Sequence, residues 1–304
     1  MSKPKGIHLN DYSYLPYQII TKVGEGGYGE VFQAQDRVTH ATVALKTLHP
    51  NVTLHTPAHR VQSILLQHEY RVCQRVRNPH VVRSLHHGYT ESGLPFSVFT
   101  FLAGETLQRR LQRLGPLPGP VVHQVMGQAL QGLVAMHSQG LVHRDVKPAN
   151  LMVDEHLGAF QLTHIDLGIS AEVGSRVVPY GGQQPETLPQ GSAHYSAPAQ
   201  WAGQEAMPQH DWYAWALVVL ECLLGYPVLG GLTPGQALRK KQEGIPLPTA
   251  LVRHPLGEWL RDIWAGGNNW PNTQALLKDW QALELPEFLP ARTRGSSSAC
   301  APTV

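Results

Sequence analysis

The stretch GLVHRDVKPANLMVD at residues 140–154 sets the tightest limit on the fold. Pro148 has no N–H and its ring clashes with the preceding turn, so no helix interior accommodates it. Asp145, Lys147 and Asn150 therefore share a loop, between a helical pattern ending near Gln139 and an apolar, strand-like run at 151–153. A carboxylate can accept a proton, an ammonium can neutralise a moving anion, and an amide oxygen can bind a hard cation. Grouped this closely, the three suit phosphoryl transfer.

A second constraint lies upstream. VGEGGYGEV at 23–31 has the spacing G-x-G-x-x-G, and VALK with Lys46 follows on the next strand pattern. Glycines let backbone N–H groups approach phosphates closely, and a lysine one strand away reaches the same anion. Either feature alone is weak, because glycine clusters also make ordinary hairpins. Together they point to one anion site.

The first hundred residues are patterned for a sheet. Segments 17–23, 31–35 and 42–48 are β-branched and aromatic, separated by the glycine cluster and a turn at 37–40. Helical spacing runs over 61–76 and stops before Asn78-Pro79, where a pre-proline residue resists the helical region. Two more strand patterns, 81–89 and 95–102, meet at a turn over 91–93. The rest is patterned mainly for helices. Val122, Val125, Met126, Ala129, Leu133 and Met136 mark one helix face, and Asp211 is expected as the N-cap of a helix apolar on nearly every side. Further helices are expected over 234–243, 256–265 and 273–282.

Composition narrows the class. A chain of 304 residues with 42% hydrophobic and 15% charged residues is globular, and a net charge of +2 gives no electrostatic reason to expect nucleic acid. The longest apolar run, 212–224, contains Glu221 and is shorter than the roughly 20 residues a bilayer needs, so no membrane insertion is expected. Cys73, Cys222 and Cys300 are too few and too scattered for a disulfide framework, which favours the cytoplasm. The 17 histidines lack paired ligand spacing and read as surface and loop residues.

The ordered motifs, VGEGGYGEV, VALK, HRDVKPAN, DLG at 166–168, GSAHYSAPA at 191–199 and DWYAWALVVLECLLG from Asp211, resemble the eukaryotic-like Ser/Thr protein kinase family in its bacterial form. The resemblance implies an α+β, two-lobed protein kinase fold. Residues 17–102 would form a small lobe of five antiparallel strands and one helix, and 103–287 a larger, mainly helical lobe, with an N-terminal extension at 1–16 and a flexible tail at 288–304. It implies an enzyme that uses ATP and magnesium to phosphorylate Ser and Thr hydroxyls of protein substrates, autophosphorylation included. Lys46 would hold the α- and β-phosphates, oriented by Glu69. Asp145 would accept the substrate proton, Lys147 would stabilise the transferring group, and Asn150 and Asp166 would bind magnesium. The glycine loop, Val23, Gly24, Glu25, Gly26, Gly27, Tyr28, Gly29, Glu30 and Val31, would cover the nucleotide. Val31, Ala44 and Met152 would sandwich the adenine, and backbone groups of Thr100 and Leu102 would read its edge.

The chain also departs from that family. Its substrate loop ends Ala197-Pro198-Ala199 where the family has Ala-Pro-Glu, and Trp270 precedes Pro271 where the family places the partnering arginine. Removing one member of a buried ion pair costs about 3 to 5 kcal/mol, whereas replacing both with apolar groups is often neutral. The double change reads as compensated, with Ala199 and Trp270 expected to face one another. Family members that select arginine upstream of the target use carboxylates where this chain has Ala149 and Thr106, although Glu105 is adjacent. Ser170, Ser175, Tyr180 and Thr187 are the candidate phosphorylation sites between Asp166 and Ala199, with Thr187 nearest the usual position. The alternative reading is a pseudokinase that binds nucleotide or scaffolds other proteins. Regulation is expected from the domain itself or from a separate partner.

Overall fold

In the computed structural model the residues described are 12, 15–26, 29–49, 52, 56–156, 158–176, 192–287 and 289. A five-stranded antiparallel sheet opens the fold, with β1 Tyr17–Gly26, β2 Gly29–Asp36, β3 Thr42–Thr47, β4 Ser84–Tyr89 and β5 Pro95–Thr100 in the order β1-β2-β3-β5-β4. Phe32, Ala34, Val43, Leu45, Phe96 and Val98 alternate inward along β2, β3 and β5 and close a core with Leu66 of helix α1, Pro57–Arg75. Thr56 caps α1 by accepting from the His59 N–H at 3.2 Å, and Pro57 occupies the first turn, where its missing N–H costs nothing.

The second lobe is built around α3, Gly119–Ser138, and α5, Pro208–Leu224. The α5 segment is buried on every side from His210 to Leu223, as an all-round apolar pattern requires. Trp215 crosses Trp280 of α8, Thr273–Ala282, and Trp259 of α7, Pro255–Trp264, at near-perpendicular angles of 84° and 69°. Edge-to-face pairs of this kind add to the area buried. The remaining helices are α2, Leu107–Leu114, α4, Pro198–Trp201, and α6, Pro234–Glu243.

Small strands pack against helices α2, α3 and α5 of the second lobe. β6, Glu105–Thr106, pairs with β8, Leu151–His156, and β8 with β9, Ala159–His164; β7, Leu141–Val142, pairs with β10, Ala171–Glu172. Val72, Cys73, Val76, Phe99, Met136 and Leu167 form an apolar cluster that ties α1 to both the sheet and α3. Leu167 of the DLG motif is fully buried there, so the aliphatic side chain fills an apolar seat.

Three expectations are corrected. Pro208 starts α5 three residues before Asp211, so Asp211 lies inside the first turn and the N-cap is Met207. The histidines are not all superficial: His143 and His164 are fully buried, and His80 and His210 nearly so. Backbone carbonyls offset part of the cost: His164 Nε2 donates to the Ala129 carbonyl at 2.8 Å and His80 Nδ1 lies 2.8 Å from the Leu162 carbonyl. Trp270 packs on Trp259 and donates to Asp279 at 3.1 Å, within the main large-lobe cluster. Ala199 is not part of that cluster and lies on α4, which packs against α6. The tail beyond 289, the segment at 1–11, and Tyr180 and Thr187 fall outside the described residues.

Candidate active site

Strand register places Gly24, Val31 and Lys46 side by side on β1, β2 and β3. Gly29 closes the hairpin with φ of 154°, and a Cβ there would come within 1.9 Å of the Thr47 carbonyl oxygen, so only glycine fits. Gly27 and Tyr28 lie outside the described residues. Val23, Val31, Ala44, Leu102 and Met152 are all half-buried, a level of exposure that lets them line a cleft. The Thr100 N–H donates to the Arg83 carbonyl at 2.9 Å, which leaves its carbonyl as the only backbone group it can offer a ligand.

Lys46 joins the two lobes. Its Nζ donates to Glu69 Oε2 at 2.7 Å and to Asp166 Oδ1 at 2.9 Å. Burial pulls the ammonium down, but the carboxylates of Asp166 and Glu69 outweigh it and hold Lys46 above the usual lysine range. For Asp166 the sign is reversed: burial raises it, and Lys46, with Lys147 and His143 behind it, brings it below the ordinary carboxylate value. Glu69 is raised, because burial there exceeds the help from Lys46. Glu69 is only 3% exposed, which rules out a solvated helix position.

Below lies the loop at 143–150. Lys147 Nζ donates to Asp145 Oδ2 at 2.6 Å, and the Asn150 amide donates to the same oxygen at 2.9 Å and to the Asp145 carbonyl at 3.0 Å. Asn150 thus spends its nitrogen on Asp145, leaving its amide oxygen for a cation. The Ile165 N–H donates to the Asn150 carbonyl at 2.9 Å, which sets Asn150 against the chain entering Asp166. An amide oxygen and an ionised carboxylate are hard donors that fit a divalent cation.

Several supports were not legible as site residues. The carboxylate of Asp211 accepts from the backbone N–H groups of His143 and Arg144, both at 2.7 Å, and from His137 Nε2 at 2.8 Å. It therefore caps the loop at 143–150 in place of its own helix. Arg144 and Asp166 have φ of 69° and 59°, a region costing about 1 to 2 kcal/mol for an ordinary residue, and fixed partners sustain them there. Ser192 donates its N–H to Asp145 Oδ1 at 3.1 Å and accepts from Lys147 Nζ at 2.9 Å. The spacing of residues 145–150 gave no signal for these distant partners; only a fold resemblance could.

A buried lysine that meets carboxylates from a sheet lobe and a helical lobe, above a loop of hard donors, places the chain among the phosphotransferases with an interlobe cleft. The finer class comes from comparison with known sequences: the family model "Protein kinase domain" matches residues 17–255, and the chain belongs to that family. Its members use ATP with a divalent cation and act on proteins. Similar curated proteins include the serine/threonine-protein kinase PknD of Mycobacterium tuberculosis (strain CDC 1551 / Oshkosh), 33% identical over 70% of this chain and 30% of PknD. PknH of Mycobacterium bovis is 32% identical over 78% of this chain and 38% of its own length. PknE of Mycobacterium tuberculosis (strain ATCC 25177 / H37Ra) is 32% identical over 71% and 36%. The chain spans roughly a third of the length of these relatives. Among the described residues no helix is long and apolar enough to cross a membrane.

Proposed function

We propose that this chain transfers the γ-phosphoryl group of ATP to Ser and Thr hydroxyls of proteins, its own included, with magnesium as the cation. The observation that carries the reading is the loop carboxylate of Asp145, held by Lys147 and Asn150 within a cleft whose other wall is the Lys46–Asp166 contact. Relatives named as serine/threonine-protein kinases support the choice of acceptor.

In this reading Asp145 accepts the hydroxyl proton, and Lys147 neutralises charge on the group in flight. Lys46 grips the α- and β-phosphates while Glu69 fixes its direction. Asn150 and Asp166 hold magnesium, which when bound screens the phosphate oxygens. Backbone amides of the glycine loop, residues 23–31, cover the phosphates; Val31, Ala44 and Met152 flank the adenine, with Leu102 and the Thr100 carbonyl at its edge. Such a transition state is loose and highly charged, so positioning and electrostatics supply most of the rate.

Residues 17–102 and 103–287 then act as the two lobes, with 1–16 as an extension and 288–304 as a tail. The scarcity of cysteine fits a cytoplasmic site. Incubating purified protein with labelled ATP and magnesium, then mapping phosphosites by mass spectrometry, tests the reading. Transfer to Ser and Thr is the expected result. ATP binding without transfer to itself or to generic acceptor proteins would leave a nucleotide-binding module instead.

A further inference from the structure

Lys241 of α6 is only 6% exposed, and among the described residues no carboxylate lies within 4.0 Å of its ammonium. Burying a charge without a counter-charge is costly, and a methionine would fill similar space without that cost. What Lys241 gains is directed hydrogen bonding. Its Nζ donates to the carbonyls of Ala193 at 2.7 Å and Ser196 at 2.6 Å, and stands 5.8 Å from the centre of the Tyr213 ring. Burial lowers the ammonium to about 7, yet the neutral amine still carries two N–H groups for the two carbonyls. The clamp holds in either protonation state.

The clamped segment is a closed turn. Ser192 accepts through its carbonyl from the N–H groups of Tyr195 at 2.8 Å and Ser196 at 3.0 Å. On its inner side the same serine donates to Asp145 and accepts from Lys147. The outer side is where Lys241 binds. A rigid path thus runs from α6 through the turn to the loop carboxylate, in a chain with alanine at position 199, where its family has a glutamate.

We propose that Lys241 is a positioning residue for the phosphoryl acceptor, fixing the turn at 192–196 so that Ser192 keeps Asp145 and Lys147 aligned with an incoming hydroxyl. The proposal rests on the kinase reading above. Tyr195, which donates to Glu221 at 2.9 Å, and His194, whose Nε2 donates to the Leu232 carbonyl at 2.9 Å, anchor the same turn from other directions. Loss of Lys241 therefore loosens the turn without releasing it.

The test compares wild type, Lys241→Met and Lys241→Arg, with casein as acceptor and, separately, for ATP hydrolysis without acceptor. Displacing a reacting group slightly costs orders of magnitude, so Lys241→Met should lose about tenfold or more in kcat/KM for casein. Its KM for ATP should stay at the wild-type value, its acceptor-free hydrolysis, which shares Asp145 and Lys147 but needs no aligned hydroxyl, should fall less than transfer, and Lys241→Arg, which restores donors, should recover most of the loss. Hydrogen exchange at the Ser192 amide should quicken in the methionine variant. Unchanged transfer to casein overturns the proposal, as does a parallel fall in transfer, hydrolysis and ATP binding. If Lys241→Met does not fold, Lys241→Leu takes its place, and wild-type transfer by that donor-free side chain overturns the proposal. A wild type that transfers nothing sinks the kinase reading instead, and exchange at Ser192 then decides the positioning claim alone, with unchanged protection counting against it.

Discussion

The ammonium of Lys147 stands 2.6 Å from the carboxylate Oδ2 of Asp145. That contact keeps a cation beside the group assigned to take the hydroxyl proton, so exchanging the carboxylate for an amide removes the base while preserving shape. Asp145→Asn should lower phosphoryl transfer by about 10² to 10⁴-fold, the usual worth of a general base, with ATP affinity retained. Single-turnover transfer beside equilibrium nucleotide binding measures both.

Lys46 neutralises two carboxylates at once, and the side chain of Glu69 is 4% exposed. Lys46→Met would strand Glu69 in a buried site, a loss on the order of 3 kcal/mol. The double variant Lys46→Met, Glu69→Gln should regain part of that stability while remaining unable to transfer phosphate. Denaturant unfolding of the three proteins separates structure from chemistry.

Glu221 offers a test by pH. Burial raises its carboxyl to about 7, against bonds donated by the Val228 N–H and the Tyr195 hydroxyl that favour the ion. Between the ordinary value of 4.5 and about 7 the folded state binds more protons than the unfolded one, so this group's contribution to stability falls as pH rises. The penalty is complete above that window and absent below it. Glu221→Gln, which cannot ionise, should therefore gain on wild type across the window by up to roughly 3 kcal/mol. Unfolding free energies of both proteins at pH 4.5 and 8 give the difference, and an equal offset at both would refute the assignment.

Glu105 is paired with Arg113, so the one carboxylate beside Thr106 already has a cation. A peptide-library screen should show little selection for arginine two or three residues before the target hydroxyl. Arg113→Ala frees Glu105 and should raise that selection several-fold, at the scale of about 1 kcal/mol for a half-exposed pair. Strong arginine selection by the wild type would contradict this account.

Elements with periodic patterns were legible from the sequence. The helices at 234–243 and 273–282 fall where the spacing put them, and the five strands of the small lobe differ from expectation only at their ends. Chemistry gathered in one loop was legible for the same reason: Asp145, Lys147 and Asn150 are local, and their geometry follows from a few backbone angles. Long-range partners were not. Asp211 looks like a helix cap in the sequence, yet its oxygens serve a loop far upstream. Lys241 sits in the basic run RKK, where it reads as a solvated charge, and only the packing of α6 on the turn at 192–196 reveals its burial. The hairpin β8–β9 was half seen, because 151–153 carries the apolar signal and Ala159–His164 alternates too weakly to declare a strand.

The aromatic cluster around Trp215 has a spectroscopic consequence. All seven tryptophans, Trp201, Trp212, Trp215, Trp259, Trp264, Trp270 and Trp280, lie in the second half of the chain, and the β1–β5 sheet has none. Indole emission therefore reports melting of the helical lobe while the sheet lobe stays silent. A tryptophan introduced at Phe96, inside the sheet core, would give the sheet lobe its own signal and show whether the two halves unfold together.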